Sequence, residues 1–519
     1  MYAQVERASL VGNITDKSGA AMTGVEITVT SVATNIGQRL LTDEAGAYSA
    51  VNLIPGVYNV QASKSGFRNV VFKDFTLQVS QVARLDIVME IGDVSQSVEV
   101  TGSVTLLQTE NASVGQVISK EAVQSLPLNG RNFVQLAILA PGVTGLDYAQ
   151  PNTINSGRRP DELRPGGTAL AANGARSTSN QVLLDGIDNT EMISQTFVTR
   201  PAVEGIQEFK VLTNNAGAEY GRSAGAVVVI TSKSGSNDFH GSIFEFLRNE
   251  ALDSRNFFAR TDAPKPPFKL NQFGAALGGP IKRNKTFFFT NYEGYREVFG
   301  DTQLVTVPTA AMKAGDFRGV VANGIYDPLT TAANPVGGAA IRQRFPNDTI
   351  PASRFDPVGA PLAQLWPNPQ RASLVNNFVA NPVKKSSLHR ADGRLDHVFN
   401  SNNNVFFRYS IDKSIITMPD TFDKNIGGNE ASFAGDLDAT GRNLVGAYTR
   451  VISTSTVGDF RYGYTQFNSA LIPTQLTNPI WSRIPGRDSG GPRQPSAPIV
   501  GTTGYAGLGN ARSTPLIRD

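Results

Sequence analysis

Residues 203–241 read VEGIQEFKVLTNNAGAEYGRSAGAVVVITSKSGSNDFHG, and they divide the chain into two textures. Two β-type runs, Gln207–Thr213 and Gly225–Thr231, flank a small-residue segment centred on Glu219-Tyr220-Gly221. A polar turn, Lys233-Ser234-Gly235-Ser236-Asn237, closes the stretch. Upstream lie short strand patterns with frequent turn signals. Downstream lie long alternating strands separated by long polar connections. The stretch is a seam between two architectures.

The totals agree with a β-rich reading. A chain of 519 residues has room for several domains with buried cores. Its 50 glycines, 29 prolines and 28 phenylalanines, with only 18% charged residues, fit a turn-rich β protein. With 47 basic and 44 acidic residues the net charge is +3, and no basic run interleaves with aromatics, so nucleic acid is not an expected partner. Cysteine is absent, which excludes disulfides, thiolate metal sites and cysteine nucleophiles. No apolar run approaches the ~18 residues of a membrane helix, a test that β-barrel strands escape because they alternate. The opening Met1-Tyr2-Ala3-Gln4 reads either as the remnant of a signal peptide cut near Ala3 or as a plain cytoplasmic start. Residues 1–7 are accordingly set apart as a leader.

Residues 8–92 read as a small β-sandwich. Val25, Ile27 and Val29 alternate with Glu26, Thr28 and Thr30, the pattern of a half-buried strand. Asp43-Glu44-Ala45-Gly46 and Pro55-Gly56 supply turns, Tyr58, Val60 and Ala62 share a face, and Leu85, Ile87 and Met89 form the last inward row. Val11-Gly12, Asp16, Gly19-Ala20, Thr42–Tyr48, Leu53–Tyr58 and Gly66-Phe67 resemble the carboxypeptidase regulatory-like domain. The resemblance implies a seven-stranded, prealbumin-like sandwich of the carbohydrate-binding-like kind. It implies no peptidase, because a zinc site needs imidazole and carboxylate ligands, and His240, His389 and His397 all lie elsewhere without an HxxE. Surface Asp and Glu here are read as solvated loop residues, with sugar binding as the alternative.

Residues 93–102 form a polar lead into Val98-Glu99-Val100-Thr101-Gly102. Such an alternating pentapeptide can add to a sheet edge, with Val98 and Val100 filling pockets on one side. It can equally be an ordinary terminal strand of a flanking domain. Leu126-Pro127-Leu128-Asn129-Gly130-Arg131-Asn132-Phe133 follows. Phe133, Leu136, Ala137 and Ala140 then fall at helical spacing, predicting a short helix with one buried face. Residues 145–170 read as a long loop, and Gln181–Gly186 as a buried strand ending in an Asp-Gly turn.

Val98–Gly102, the Leu126–Phe133 signature, Leu184-Asp185-Gly186 and the opening stretch resemble, in order and spacing, the TonB-dependent outer-membrane receptors, nearest to the Oar-like subgroup. The signature residues are Leu126, Pro127, Gly130, Arg131, Asp185, Gly186, Glu219, Tyr220, Gly221 and Gly225. The resemblance implies a mixed α/β plug over 103–235. It also implies that Val98–Gly102 is the TonB box, gripped by a periplasmic TonB-type energy-coupling protein. Val229 and Ser232 depart from the usual Asn and Thr of the last plug strand, and Thr213-Asn214-Asn215 replaces a usual Gly-Pro. Glu219, Arg222 and Arg131 are candidates for polar links between plug and barrel wall, with solvated turn residues as the bland alternative.

Residues 236–519 carry about seven alternating segments. Phe244 and Phe246 share a face opposite Glu245. Val405, Phe407, Tyr409 and Ile411 oppose Phe406, Arg408, Ser410 and Asp412. Phe460, Tyr462 and Tyr464 oppose Asp459, Arg461 and Gly463. Thr286–Arg296, Asn271–Ile281, Leu388–Phe399 and Asn443–Ile452 complete the set. Aromatic side chains on one face and charged ones on the other suit a wall between lipid and water. A large soluble sandwich is the alternative. The Pro/Gly/Asn-rich region between Val298 and Lys385 is too long for an ordinary connection and fits a large extracellular loop. Barrels with a plug have about 22 strands, so seven predict a fragment carrying only the first part of a transmembrane barrel.

The expectation is thus a mainly β chain: sandwich, mixed plug, then barrel. The resemblance implies a receptor in the bacterial outer membrane, with the N-terminal domain periplasmic, importing a small solute or glycan by energy-coupled plug movement. Outer-membrane lipid is a further partner. No catalytic constellation, metal site or cofactor motif stands out, so no enzyme is expected. The competing reading is a non-transporting surface adhesin or carbohydrate-binding protein.

Overall fold

A computed structural model describes residues 7–93, 97–101, 113–146, 169–192, 197–217, 219–221, 223–255, 265–300, 302–422, 434–453, 456–473 and 517–518. The N-terminal sandwich is built from β1 (Ala8–Asp16), β2 (Glu26–Ser31), β3 (Gly37–Leu41), β4 (Ala47–Leu53), β5 (Gly56–Ser63), β6 (Asn69–Leu77), β7 (Val82–Arg84), β8 (Ile87–Met89) and β9 (Ser97–Thr101). In one sheet β1 sits between β4 and the short pair β7 and β8; the other runs β3-β2-β5-β6-β9. The alternation predicted from sequence is what fills the space between them. Val25, Ile27, Val29, Tyr58, Val60, Ala62, Leu85, Ile87 and Met89 all lie in one buried cluster. Tyr48 and Tyr58 carry their hydroxyls into this core and donate them to the carbonyls of Leu85 and Ile54, each at 2.6 Å. Burial therefore leaves neither hydroxyl unsatisfied.

The plug contains β10 (Val114–Ile118), β11 (Val143–Leu146), β12 (Ala169–Ala172), β13 (Gln181–Leu184), β14 (Ile187–Asp188), β15 (Ile206–Asn214) and β16 (Val227–Ser232). Its main sheet is ordered β10-β15-β16-β13-β14, with β13 parallel to β16 and the other pairs antiparallel. Both runs of the opening stretch are thus neighbouring central strands. Because successive side chains alternate, each face of this sheet needs a cover. Phe209, Val211, Val182, Leu184, Val228 and Ile230 pack on one side with Phe133, Val134, Leu136 and Ala137. The predicted helix is there, wound as a 3-10 turn over Phe133–Leu139 and capped by the Asn132 side chain. The opposite face is covered differently, as described below.

The third module is an antiparallel meander: β17 (His240–Asn249), β18 (Phe268–Lys282), β19 (Thr286–Gly300), β22 (Val383–Asn400), β23 (Asn403–Met418), β24 (Gly435–Ser453) and β25 (Thr456–Pro473). All seven predicted strands are present. From β18 onward they run 15 to 19 residues. At about 3.3 Å per residue that exceeds a hydrocarbon core of about 30 Å. Among the described residues no helix is long and apolar enough to cross a membrane. Between β19 and β22 the chain is organised rather than trailing. A small sheet of β20 (Gln303–Val305) and β21 (Phe378–Ala380) stands beside a local core of Val307, Leu362 and Trp366.

The plug-facing side of this wall is polar and buried: Gln272, Asn291, Glu293, Arg390, Arg394, Arg408, Asp412 and Asn443. The outward side carries Phe273, Leu277, Tyr292, Leu395, Phe407, Tyr409, Tyr448, Phe460, Tyr462 and Tyr464. The predicted split of β23 and β25 holds. In β17 the sense is reversed. Phe246 pairs with Gln272 and Phe244 with Gly274, on the plug-facing side, whereas Glu245 pairs with the outward Phe273. The reason is Arg131 of the plug, whose guanidinium lies 4.2 Å from the Phe244 ring centre and 5.1 Å from that of Phe246. Stacking on a cation draws these rings inward.

Candidate functional site: the plug–wall and plug–sandwich contacts

The Asp185-Gly186 turn joins β13 to β14, with Leu184 paired to Ile187. Asp185 has φ +49 and Gly186 φ +76, the left-handed pair that a type I′ turn requires. This geometry projects the Asp185 carboxylate into the wall. It accepts from Ser232 N at 2.9 Å and Ser232 Oγ at 2.7 Å. It also accepts from Arg408 Nε at 2.6 Å and Arg394 Nη1 at 3.4 Å. The Asp185 carbonyl takes Arg461 Nη1 at 3.2 Å. Arg408 in turn donates to Asn443 Oδ1 and Ser410 Oγ, both at 2.5 Å, and Arg394 is paired with Asp396 at 2.8 Å. Three wall strands, β22, β23 and β25, converge on one plug turn, and Asn443 of β24 braces Arg408 behind them.

Burial alone would push the Asp185 carboxyl up. The Arg394 and Arg408 guanidiniums and the Ser232 donors override it and hold the group below the ordinary carboxylate value. Ser232, where the family's usual residue is Thr, supplies the same hydroxyl donor.

A second patch is centred on Glu293. Arg390 Nη1 donates to it at 3.1 Å while Arg390 Nε reaches Asp412 at 3.4 Å. Gln272 Nε2 bridges Glu293 at 3.1 Å and the Gly130 carbonyl at 3.4 Å. Arg131, at φ +54, bonds Glu204 of the plug and lies 3.9 Å from Glu293, an ion-pair distance too long for a hydrogen bond. Arg131 thus lies between plug and wall, and of the two readings open for it the solvated turn does not apply. Arg222 and Gly102 fall outside the described residues. Tyr220, next to Glu219, packs against the opposite face with Val79, Leu183, Leu212, Val227 and Val229.

The remaining signature residues are scattered around these contacts. Leu126 ends the helix Lys120–Ser125, and its backbone N–H closes on Ala122 O. Pro127 begins the descent to Gly130, which has φ +62. A Cβ on Gly225 would lie 2.5 Å from Asn180 Oδ1, so close approach requires glycine there. Gly221 has open space around it, and nothing in the structure explains its identity.

Val98 to Thr101 are found in β9, parallel to β6, with Val98 opposite Val70 and Val100 opposite Phe72. Glu99 pairs with Lys73 at 2.7 Å, both half exposed, an ion pair worth little by itself. β9 ends its sheet, so its outer edge carries no strand among the described residues.

One contact was not legible from motifs. The turn Gln78-Val79-Ser80-Gln81 of the sandwich reaches the uncovered plug face. Val79 is fully buried among Leu183, Leu212, Val227 and Val229. Its backbone N–H donates to Glu208 of β15, and Lys210 Nζ donates to the Ser80 carbonyl at 3.3 Å. Two charged residues on a strand with apolar neighbours were the only sequence signal. Burial pushes the Glu208 carboxyl up to about 7, countered by the Val79 N–H and augmented by Glu121. Docking therefore takes up a proton. The contribution is fully present below about 4.5, and is lost as pH rises through about 7. The expected outcome is weaker sandwich–plug docking at pH 8 than at pH 6, read as protease sensitivity of residues 78–81. Glu208→Gln should flatten that dependence.

The sandwich also touches the wall. Asn237 N donates to Ala33 O at 3.0 Å and Asn237 Nδ2 to Thr34 O at 2.7 Å. Asn52 Nδ2 donates to Thr449 at 2.5 Å and Asp459 at 3.1 Å. Between these points a cavity of about 560 Å³ separates sandwich, plug and wall, with Ser232 and Asp396 in its lining.

Residues 231–519 match the outer membrane beta barrel domain, and residues 9–90 match the carboxypeptidase regulatory-like domain. The chain belongs to the outer membrane beta barrel domain family. This outer-membrane barrel protein is 24% identical over 301 residues to the TonB-dependent transporter Oar of Myxococcus xanthus, an alignment taking in 55% of the chain and 26% of that protein. The chain thus spans about a quarter of that relative's length. Among solved structures it is similar to the outer membrane transporter YddB from Escherichia coli, with TM-score 0.41 and 12% identity over 69% of this chain and 39% of that one. It is also similar to the siderophore receptor PirA from Acinetobacter baumannii, with TM-score 0.34 and 13% identity over 70% and 46%. Family membership places this β-barrel in an outer membrane.

Proposed function

We propose that this barrel protein is a TonB-dependent receptor that binds a solute outside the cell and admits it when its plug is moved by force from the periplasm. The observation that carries the reading is the plug itself. It has its own core, yet it is held against the wall by two buried ionic patches around Asp185 and Glu293. Ionic contacts of this kind are broken all at once when geometry is lost, which suits a gate better than a permanent filler.

Orientation supports the same reading. The connections 283–285 and 401–402 are short, while 250–267, 301–382 and 419–434 are long. Barrels of this class keep short turns on the periplasmic side and long loops outside. The sandwich touches the wall beside the short turn at Asn284, which supports a periplasmic place for it. In this reading β9 faces that compartment with no strand on its outer edge among the described residues, and a periplasmic energy-coupling protein can add a strand there through main-chain bonds. The solute is a small molecule or glycan bound by the long connections, including the ordered region around Trp366.

Deleting residues 98–102 from the full-length protein is the test. Uptake is expected to fall to background while solute binding at the cell surface persists. Undiminished uptake would remove the coupling role from this strand.

A further inference from the structure

We propose that the N-terminal sandwich is a mechanical relay, which passes load from β9 into the central strands of the plug through the turn Gln78–Gln81. The inference rests on the reading of Ser97–Thr101 as the strand that the energy-coupling partner grips.

The path is continuous. β9 is bonded along five residue pairs to β6, from Asn69↔Ser97 to Lys73↔Thr101. A pull along parallel strands loads their bonds together rather than one after another, so β6 moves with β9. β6 ends at Leu77, and the docking turn begins at the next residue. The turn is closed on itself by Gln78 N to Gln81 Oε1 at 2.8 Å and Gln81 N to Gln78 O at 3.2 Å. It is tied back to β1 by Ser9 N to Gln81 O at 2.8 Å. Its far side is the clamp already described: Val79 in an apolar socket of β13, β15 and β16, flanked by Glu208 and Lys210. Those strands include both runs of the seam.

The covalent route between β9 and β10 runs through residues 102–113, twelve residues whose contour can reach about 40 Å. The clamp needs no extension before it bears load, because its atoms are already in contact. The side chain of Val79 belongs to the plug's apolar cluster and not to the sandwich core, so replacing it should leave the sandwich folded. Of the groups facing the clamp, Glu208 and Lys210 come from β15 and Glu121 from the helix Lys120–Ser125; the turn itself contributes no charge. Burial raises Glu208 to about 7, so near neutral pH it is only partly ionised and the clamp is not a permanent ion pair.

These 519 residues have no cysteine, so once any cysteine in the rest of the full-length protein is replaced by serine, a single Glu99→Cys supplies an unambiguous handle. The full-length protein, held by its barrel in a lipid bilayer, would be pulled at residue 99 and its force–extension trace recorded. With the docked sandwich, the plug should bear load at short extension. In Val79→Asp, load should reach the plug only at a longer extension, once residues 102–113 are drawn toward their contour of about 40 Å. A Ser80→Cys, Lys210→Cys pair joined by a short bis-maleimide, pulled through a non-thiol tag placed at position 99, should keep the early load. Identical traces for native and Val79→Asp protein would overturn the relay. So would an early load that survives in Val79→Asp but is lost on cross-linking. Capture of a purified periplasmic fragment of the energy-coupling protein by residues 97–101 is scored separately. Its failure would overturn the grip reading, while the force traces alone decide the relay.

Discussion

Asp185→Asn is expected to loosen the plug from the wall by about 3 kcal/mol, because it leaves a buried arginine without its anion. Asparagine is the informative replacement. It tolerates the left-handed conformation at φ +49 and can still accept from Ser232, so the turn survives and only the charge is removed. Arg394 keeps Asp396 as a partner at 2.8 Å. Arg408 does not fare as well. Its Nε loses the 2.6 Å bond, and its remaining neighbours, Ser410 and Asn443, are neutral. Asp392, which accepts from Ser410, is the next carboxylate along and also attracts Arg408 across the space between them, without a direct hydrogen bond. This places the cost at the lower end of what a broken buried pair shows. The check is the thermal midpoint of plug release in detergent, followed by proteolysis between residues 185 and 232. An unchanged midpoint would show that the patch does not hold the plug.

The same patch sets the acid limit of the plug–wall contact. The Asp185 carboxyl is held below its ordinary 3.8. Its contribution is therefore fully present above that value, and is lost only as pH falls through the lowered one. Sandwich docking through Glu208 shifts in the opposite sense, near neutral pH. The two contacts of the plug respond to different parts of the pH scale.

The seven wall strands were legible because alternation with period two survives without any knowledge of partners. What alternation cannot supply is the sense of each face. It put Phe244 and Phe246 together correctly, but only Arg131, more than a hundred residues upstream, shows that they point inward. The Asp-Gly turn was equally visible, since local backbone chemistry demands it. The destination of the Asp185 carboxylate was not, because Arg408 is 223 residues away and only strand register brings it there. Residues 98–101 are found as the end strand of the sandwich sheet, which is the flanking-strand reading, while addition of a partner strand at its outer edge belongs to the proposal.

The sandwich has a weak point that tests its role from the other direction. Gly12 lies in the middle of β1, opposite Tyr48 of β4. A Cβ there would stand 2.7 Å from the Leu85 carbonyl carbon and closer still to its oxygen. It would also lie 2.9 Å from the Tyr48 ring. Neither neighbour can yield. The Leu85 carbonyl accepts the Tyr48 hydroxyl at 2.6 Å, and Leu85 N is bonded to Val11 O at 2.8 Å. Gly12→Val must therefore separate β1 from the Leu85 segment, at a cost of about 3 kcal/mol or more. A domain of this size has only about 5–15 kcal/mol to lose, so a large part of its stability goes. Its core, unlike the wall, is independent of the plug–wall patches. The expected result is proteolysis within residues 8–93 of the full-length variant, with the barrel still resistant and Asp185 still protected. A variant whose sandwich resists protease as the native one does would mean that β1 can shift at Gly12 without loss. If the sandwich unfolds and the plug stays seated, docking by Val79 is not what holds the resting plug in place, and its part is confined to the loaded state.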